Sequence, residues 1–122
     1  MKGAPSKTIV NLVRRYLAEV ERAGIPVLAG VLYGSHARGD ARKDSDIDLL
    51  VVLKLAAPAR PAHDADLLWQ LRALVDFRIE PLLVGRERWK HDDGSPMLAA
   101  IRQEGLVIPP HRRPGGRRGV AS

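Results

Sequence analysis

The sequence predicts an α/β (α+β) domain, a mixed sheet covered by helices, on three observations. Two long stretches carry apolar residues at helical spacing. Short apolar runs of strand length stand between and after them. The 122 residues show no internal composition break that would divide the body, so one domain with a core of its own is expected. Hydrophobic residues make up 45% of the chain, close to the globular norm, which argues for a folded body.

The first helix is expected from Ser6 to Ala23. Ile9, Val10, Leu12, Val13, Tyr16, Leu17 and Val20 form its apolar face, Ser6 caps its start, and Gly24 with Pro26 ends it. Its role is to pack on the sheet. Val27 to Tyr33 reads as a buried strand that breaks at Gly34-Ser35, and Ile47 to Leu53 as a second strand. A proline-punctuated loop, Ala56 to Pro61, leads to a second helix from His63 to Phe77, with Leu67, Leu68, Leu71, Leu74 and Val75 on its stripe. Phe77 to Val84 reads as a third strand, and Pro81 removes one ladder donor, so this strand belongs at an edge or carries a bulge. Asp92-Asp93-Gly94 marks a turn, Ser95-Pro96 opens a short helix that runs to Gly105, and Leu106 to Ile108 supplies a last short strand. From Pro109 onward, proline, glycine and arginine leave too little apolar surface to offset the entropy of ordering, so a domain over 1–108 and a disordered basic tail over 109–122 are expected.

Charge narrows the partners. Of the net +6, four units come from Arg112, Arg113, Arg117 and Arg118 in the tail, which leaves the body near neutral. A broad nucleic-acid surface on the fold is therefore not expected, and the tail, without interleaved aromatics, reads as solubilising. The absence of cysteine excludes disulfides and thiolate metal sites. The N-terminal stretch has Arg14 and Arg15 inside its only apolar run, so it reads as neither signal peptide nor membrane span, and a cytoplasmic location is the default.

The chemistry concentrates between Gly34 and Val52, GSHARGDARKDSDIDLLVV. A strand that ends in Gly34-Ser35 lets backbone approach a ligand closely, with the Ser35 hydroxyl beside backbone N–H groups, and a short helix over Ala37 to Ala41 would face the same point. Asp46 and Asp48 alternate with Ile47 and Leu49, so both carboxylates point to one face. Two such acids repel unless a cation lies between them. Mg²⁺ suits this donor set, since it takes carboxylates together with phosphates and water. A two-metal displacement needs a third carboxylate, and the choices are Glu80 and Asp76. Glu80 is preferred because it lies within the third strand on the face of Leu82 and Val84, where an acid is costly without a partner, whereas Asp76 closes a helix and reads as solvated. A structural ion pair of Glu80 with Arg78, Arg86 or another base is the competing reading. His36, His63, His91 and His111 stand at no metal-ligand spacing, and Trp69 and Trp89 read as core or partner contacts.

The run GSHARGDARKDSDIDLLV resembles the signature of the minimal nucleotidyltransferase (MNT) family, within the DNA polymerase beta-like superfamily: Gly-Ser, a spacer rich in Arg and Gly, then Ser-Asp-x-Asp and an apolar strand. The matching positions are Gly34, Ser35, Ala37, Arg38, Gly39, Ser45, Asp46 and Asp48. The resemblance implies a polymerase-beta-like nucleotidyltransferase fold and transfer of a nucleoside monophosphate, usually AMP from ATP, with release of pyrophosphate. It implies that Gly34 and Ser35, with Ser45 and Arg38 nearby, hold the nucleotide, that Asp46 and Asp48 bind two Mg²⁺ ions, and that Glu80 completes the set at a position that is often Asp. Lys43 stands where a proline is common. Small members of this kind resemble MntA-type antitoxins of HEPN/MNT toxin-antitoxin pairs, which implies a helical HEPN toxin as partner and acceptor. A small-molecule acceptor such as an antibiotic, on a shared homodimer cleft, and a non-catalytic partner-binding module are the two alternatives.

Overall fold

The computed structural model describes residues 5–91 and 94–110. The expected turn at Asp92-Asp93, His111 and the tail beyond Pro110 lie outside the described residues. Helix α1, Lys7–Arg22, forms where the apolar stripe was legible: Ser6 Oγ accepts from the Ile9 amide at 3.1 Å, and Gly24, at φ 100°, turns the chain away from the end. Ile9, Val13, Tyr16, Leu17 and Val20 bury their side chains against the sheet.

Four strands follow, β1 (Val27–Tyr33), β2 (Ile47–Leu53), β3 (Ile79–Val84) and β4 (Leu106–Ile108), in the order β3-β2-β1-β4. β1 runs antiparallel to both β2 and β4, and β2 runs parallel to β3, so the sheet is mixed, as predicted. The central β2 has apolar cover on both faces. Ile47, Leu49, Val51 and Leu53 join α1 and Leu68 of α3 (Pro61–Leu71) in one core. Leu50 and Val52 join Leu98 and Ile101 of α5 (Pro96–Glu104) in a second. Each fully buried aliphatic side chain contributes about 1.5–3 kcal/mol. The Tyr16 hydroxyl donates to the Leu68 carbonyl at 2.6 Å and ties α1 to α3; burial pushes that phenol well above its ordinary pKa.

Several boundaries differ from expectation, and one helix was not expected. The helix after Gly34 is α2, Ser35–Arg38, rather than Ala37 to Ala41, because Gly39 at φ 79° ends it. The second helix stops at Leu71 and passes through a 3₁₀ turn, Arg72–Leu74. Arg72 there donates from Nε to the Trp69 carbonyl and from Nη1 to the Phe77 carbonyl, which satisfies acceptors at the helix end and holds the turn closed. The third strand starts at Ile79 rather than Phe77, because Asp76 accepts from the Arg78 amide and holds 76–78 in a tight turn. A short helix α4, Arg86–Lys90, appears in a segment whose charged composition gave no periodic signal. Pro81 does lie on an edge strand. Among the described residues no helix is long and apolar enough to cross a membrane.

Candidate active site

Alternation along β2 decides where its carboxylates go. Leu49 faces the α1 core, so Asp48 faces the α5 side, at the end of the strand that α5 leaves half-open. The register then builds a group around it: Tyr33 is the cross-strand neighbour of Asp48 on β1, and Glu80 its neighbour on β3. Asp46 precedes the strand, and its carboxylate lies close enough to Glu80 to raise it.

The electrostatics follow from this crowding. Partial burial first, and then the charge of Asp46, hold the Asp48 carboxyl above its ordinary pKa, against the opposing pull of His36 and Arg38. Burial first, and then the neighbouring Asp46 and Asp48 carboxylates, raise Glu80, while Arg72 opposes them. Tyr33 is raised by burial and then by Asp48 and Glu80. Excess negative charge of this kind favours a cation. Among the described residues no three His, Cys, Asp or Glu groups already stand close enough to enclose an ion.

Gly34 is where the backbone closes on this group. Its φ of 78° lies in the left-handed region, and a Cβ at this position would run into the Asp48 carboxylate. The turn at Gly34-Ser35 is therefore fixed against the acid. Arg38 is half-exposed and pairs with Asp40 at 3.4 Å and with Glu104 at 3.3 Å. Ser45 Oγ accepts from the Arg42 amide at 2.8 Å and closes the loop before Asp46, and the Ser45 carbonyl accepts from the buried His36 ring at 3.2 Å. Ser45 and His36 thus shape the loop that presents Asp46.

The structure brings Asp46, Asp48 and Glu80 together with Gly34, and it sets Asp76 apart. Asp76 accepts from the backbone and the guanidinium of Arg78, both at 2.8 Å, and these bonds hold its carboxyl below the ordinary value. Arg78 in turn donates to the Lys43 carbonyl, and Arg86 to Glu87 and the Lys54 carbonyl, so both basic residues considered as partners for Glu80 are engaged elsewhere. A cleft of about 430 Å³ lies between the start of α1 and the same loop, lined by His36, Arg42, Lys43 and Arg78, and none of the three carboxylates lines it. The sequence reading missed Tyr33 and Glu104. Tyr33 directly precedes Gly34-Ser35 and carried that much signal; Glu104 carried none, because it reaches the site across 70 residues of chain.

Fold and comparisons agree on the class: a mixed α+β domain of the polymerase-beta-like nucleotidyltransferase type. The chain belongs to the nucleotidyltransferase domain family, whose pattern it matches over residues 13–98. Its fold is similar to that of a Sulfolobus solfataricus protein assigned as a nucleotidyltransferase, with a TM-score of 0.55 and 17% identity over 80% of this chain and 77% of the other. It is also similar to a chain of a toxin-antitoxin structure with AMP-PNP, with a TM-score of 0.50 and 20% identity over 81% and 74%. A mutant of the toxin-antitoxin MntA-HpeT superposes with a TM-score of 0.48 and 18% identity over 81% and 74%. No curated protein matches the chain.

Proposed function

We propose that this nucleotidyltransferase domain moves AMP from ATP to a hydroxyl on a partner protein, in the presence of Mg²⁺, and serves as the antitoxin of a HEPN/MNT pair. The observation that carries the transfer reaction is the grouping of Asp46, Asp48 and Glu80 on one open face beside the Gly34 turn.

Asp46 and Asp48 would hold two Mg²⁺ ions, with Glu80 as the third carboxylate of the set; their hard oxygen donors fit that ion. Bound there, Mg²⁺ supplies charge stabilisation for the leaving pyrophosphate and acidifies the attacking hydroxyl. The Gly34 and Ser35 backbone would receive the triphosphate, and Arg38, on the helix that follows the turn, would contribute a guanidinium to its oxygens. The acceptor oxygen forms a bond to the α-phosphorus, the bond from that phosphorus to the α,β-bridging oxygen breaks, and pyrophosphate leaves with the electron pair. Glu80 would take the proton of the acceptor hydroxyl.

A protein acceptor is favoured by the exposed apolar surface of α3 and the turn that leads into β3. Trp69, Leu74 and Phe77 are exposed by 41, 58 and 68%, and the Arg72 guanidinium lies 4.1 Å over the Trp69 ring and 5.7 Å over the Phe77 ring. An aromatic and arginine patch of this kind is the usual composition of a protein interface core. The toxin-antitoxin relative with AMP-PNP supports a toxin as that partner.

The test is incubation of the protein with labelled ATP, Mg²⁺ and a lysate of its source cell, beside an Asp46→Ala/Asp48→Ala control. Label on a protein band, lost in the control and weakened by Phe77→Ala, is the expected result. Label on a small molecule alone would overturn the protein acceptor, and no label with any nucleotide or metal would overturn the transfer reaction.

A further inference from the structure

We propose that Glu104 is an affinity-determining residue of the nucleotide site, a carboxylate that stands in for a phosphate and that the triphosphate must displace. The proposal rests on the reading of the Gly34 turn and Arg38 as triphosphate ligands. Glu104 Oε1 accepts from the Gly34 amide at 3.4 Å, and Oε2 pairs with Arg38 Nη1 at 3.3 Å. One carboxylate thus bridges a backbone N–H and a guanidinium, the same two donor types that bind phosphate oxygens.

The placement of Glu104 is built rather than incidental. It is the last residue of α5, whose Leu98 and Ile101 are buried in the second core. Gly105 follows with no room for a side chain, since a Cβ there would overlap the Ile101 carbonyl and a Val31 methyl. The chain then enters β4, which pairs with β1 up to Leu32, two residues before Gly34. Sheet and helix therefore deliver Glu104 to the turn from the side opposite Glu80.

The two contacts are long and half-exposed, so they are weak enough to be exchanged for a ligand. Glu104 also adds negative charge near Asp48, which raises that group further. A triphosphate arriving at Gly34 and Arg38 meets this carboxylate as a competitor and a like charge. Once displaced, Glu104 has only to rotate into solvent, because it lies at the exposed end of its helix.

Isothermal titration with Mg²⁺ and AMP-PNP tests the idea on wild type, Glu104→Gln, Arg38→Ala and the double variant. Glu104→Gln keeps the size of the side chain and should bind about three- to fivefold more tightly than wild type, the scale of an exposed charge pair. In the Arg38→Ala background the gain should shrink. The Gly34 amide resonance should move on Glu104→Gln alone, which reports the contact directly. Equal or weaker binding by Glu104→Gln, or an unmoved Gly34 resonance, overturns the proposal and leaves the transfer reaction standing. Absence of AMP-PNP binding by the wild type as well overturns the nucleotidyl-transfer reading, and this inference with it.

Discussion

The two faces of the central strand are made from alternate residues of one short sequence, yet they do different work. On the α1 face, Ile47, Leu49, Val51 and Leu53 are fully buried and meet only apolar side chains and the Tyr16 to Leu68 bond. On the α5 face, Leu50 and Val52 are covered, but at the open end Asp48 lies beside Tyr33, Glu80 and Asp46. The difference teaches how so small a domain can tolerate a crowded acidic site. The core on one face is complete, so the other can carry unfavourable charge at its edge without loss of the fold.

That comparison can be broken from either side. The largest effect is expected from Asp48→Asn, which should cut nucleotidyl transfer by about 10³-fold, several kcal/mol of lost charge stabilisation. It should melt at no lower temperature than the wild type in chelator, because it removes repulsion with Asp46. A large loss of stability instead would show that the acidic face also holds the fold. One residue along, Leu49→Ala should do the reverse: about 2–5 kcal/mol of stability lost in urea unfolding, with kcat preserved in the fraction that remains folded.

Tyr16→Phe sharpens the same division on a smaller scale. It leaves the Leu68 carbonyl buried without its donor and should cost about 1–3 kcal/mol, again without an effect on transfer. The smallest effect belongs to Asp76→Asn. The Arg78 bonds depress the Asp76 pKa in the fold, so its contribution is fully present above the ordinary carboxylate value of 3.8 and is lost as pH falls through the depressed one. About 1 kcal/mol, reduced by solvent screening, should separate the variant from the wild type at neutral pH. The gap should close in acid, and a gap that persists at the lowest pH would remove the ion pair as its cause.

Much of the fold was legible because its signals are local. Ser6, the α1 stripe, the Gly24 stop and the runs that became β1 and β2 are each readable within a window of a few residues. The Gly34-Ser35 break and the alternation of Asp46 and Asp48 with Ile47 and Leu49 were legible for the same reason. Glu80 was legible as an acid in a strand, although only the parallel register sets it beside Asp48. What could not be read depended on distant parts of the chain or on turns without a periodic signal. The early end of α3 follows from Arg72 bonds to Trp69 and Phe77, and α4 offers only five charged or aromatic residues with no stripe. Glu104 is one acid among many in composition, and only the docking of α5 and the pairing of β4 bring it to Gly34.

The order of the strands has a consequence for how this protein meets others. Its two outer strands are β3 and β4; Pro81 removes a backbone donor from the first, and the second is only three residues long and runs at once into Pro109 and Pro110. A border without a full row of free amides is a poor template for another extended chain. Assembly by sheet extension is thereby discouraged on both flanks, so recognition falls to side chains on the surface, and the risk of fibrous self-association is kept low.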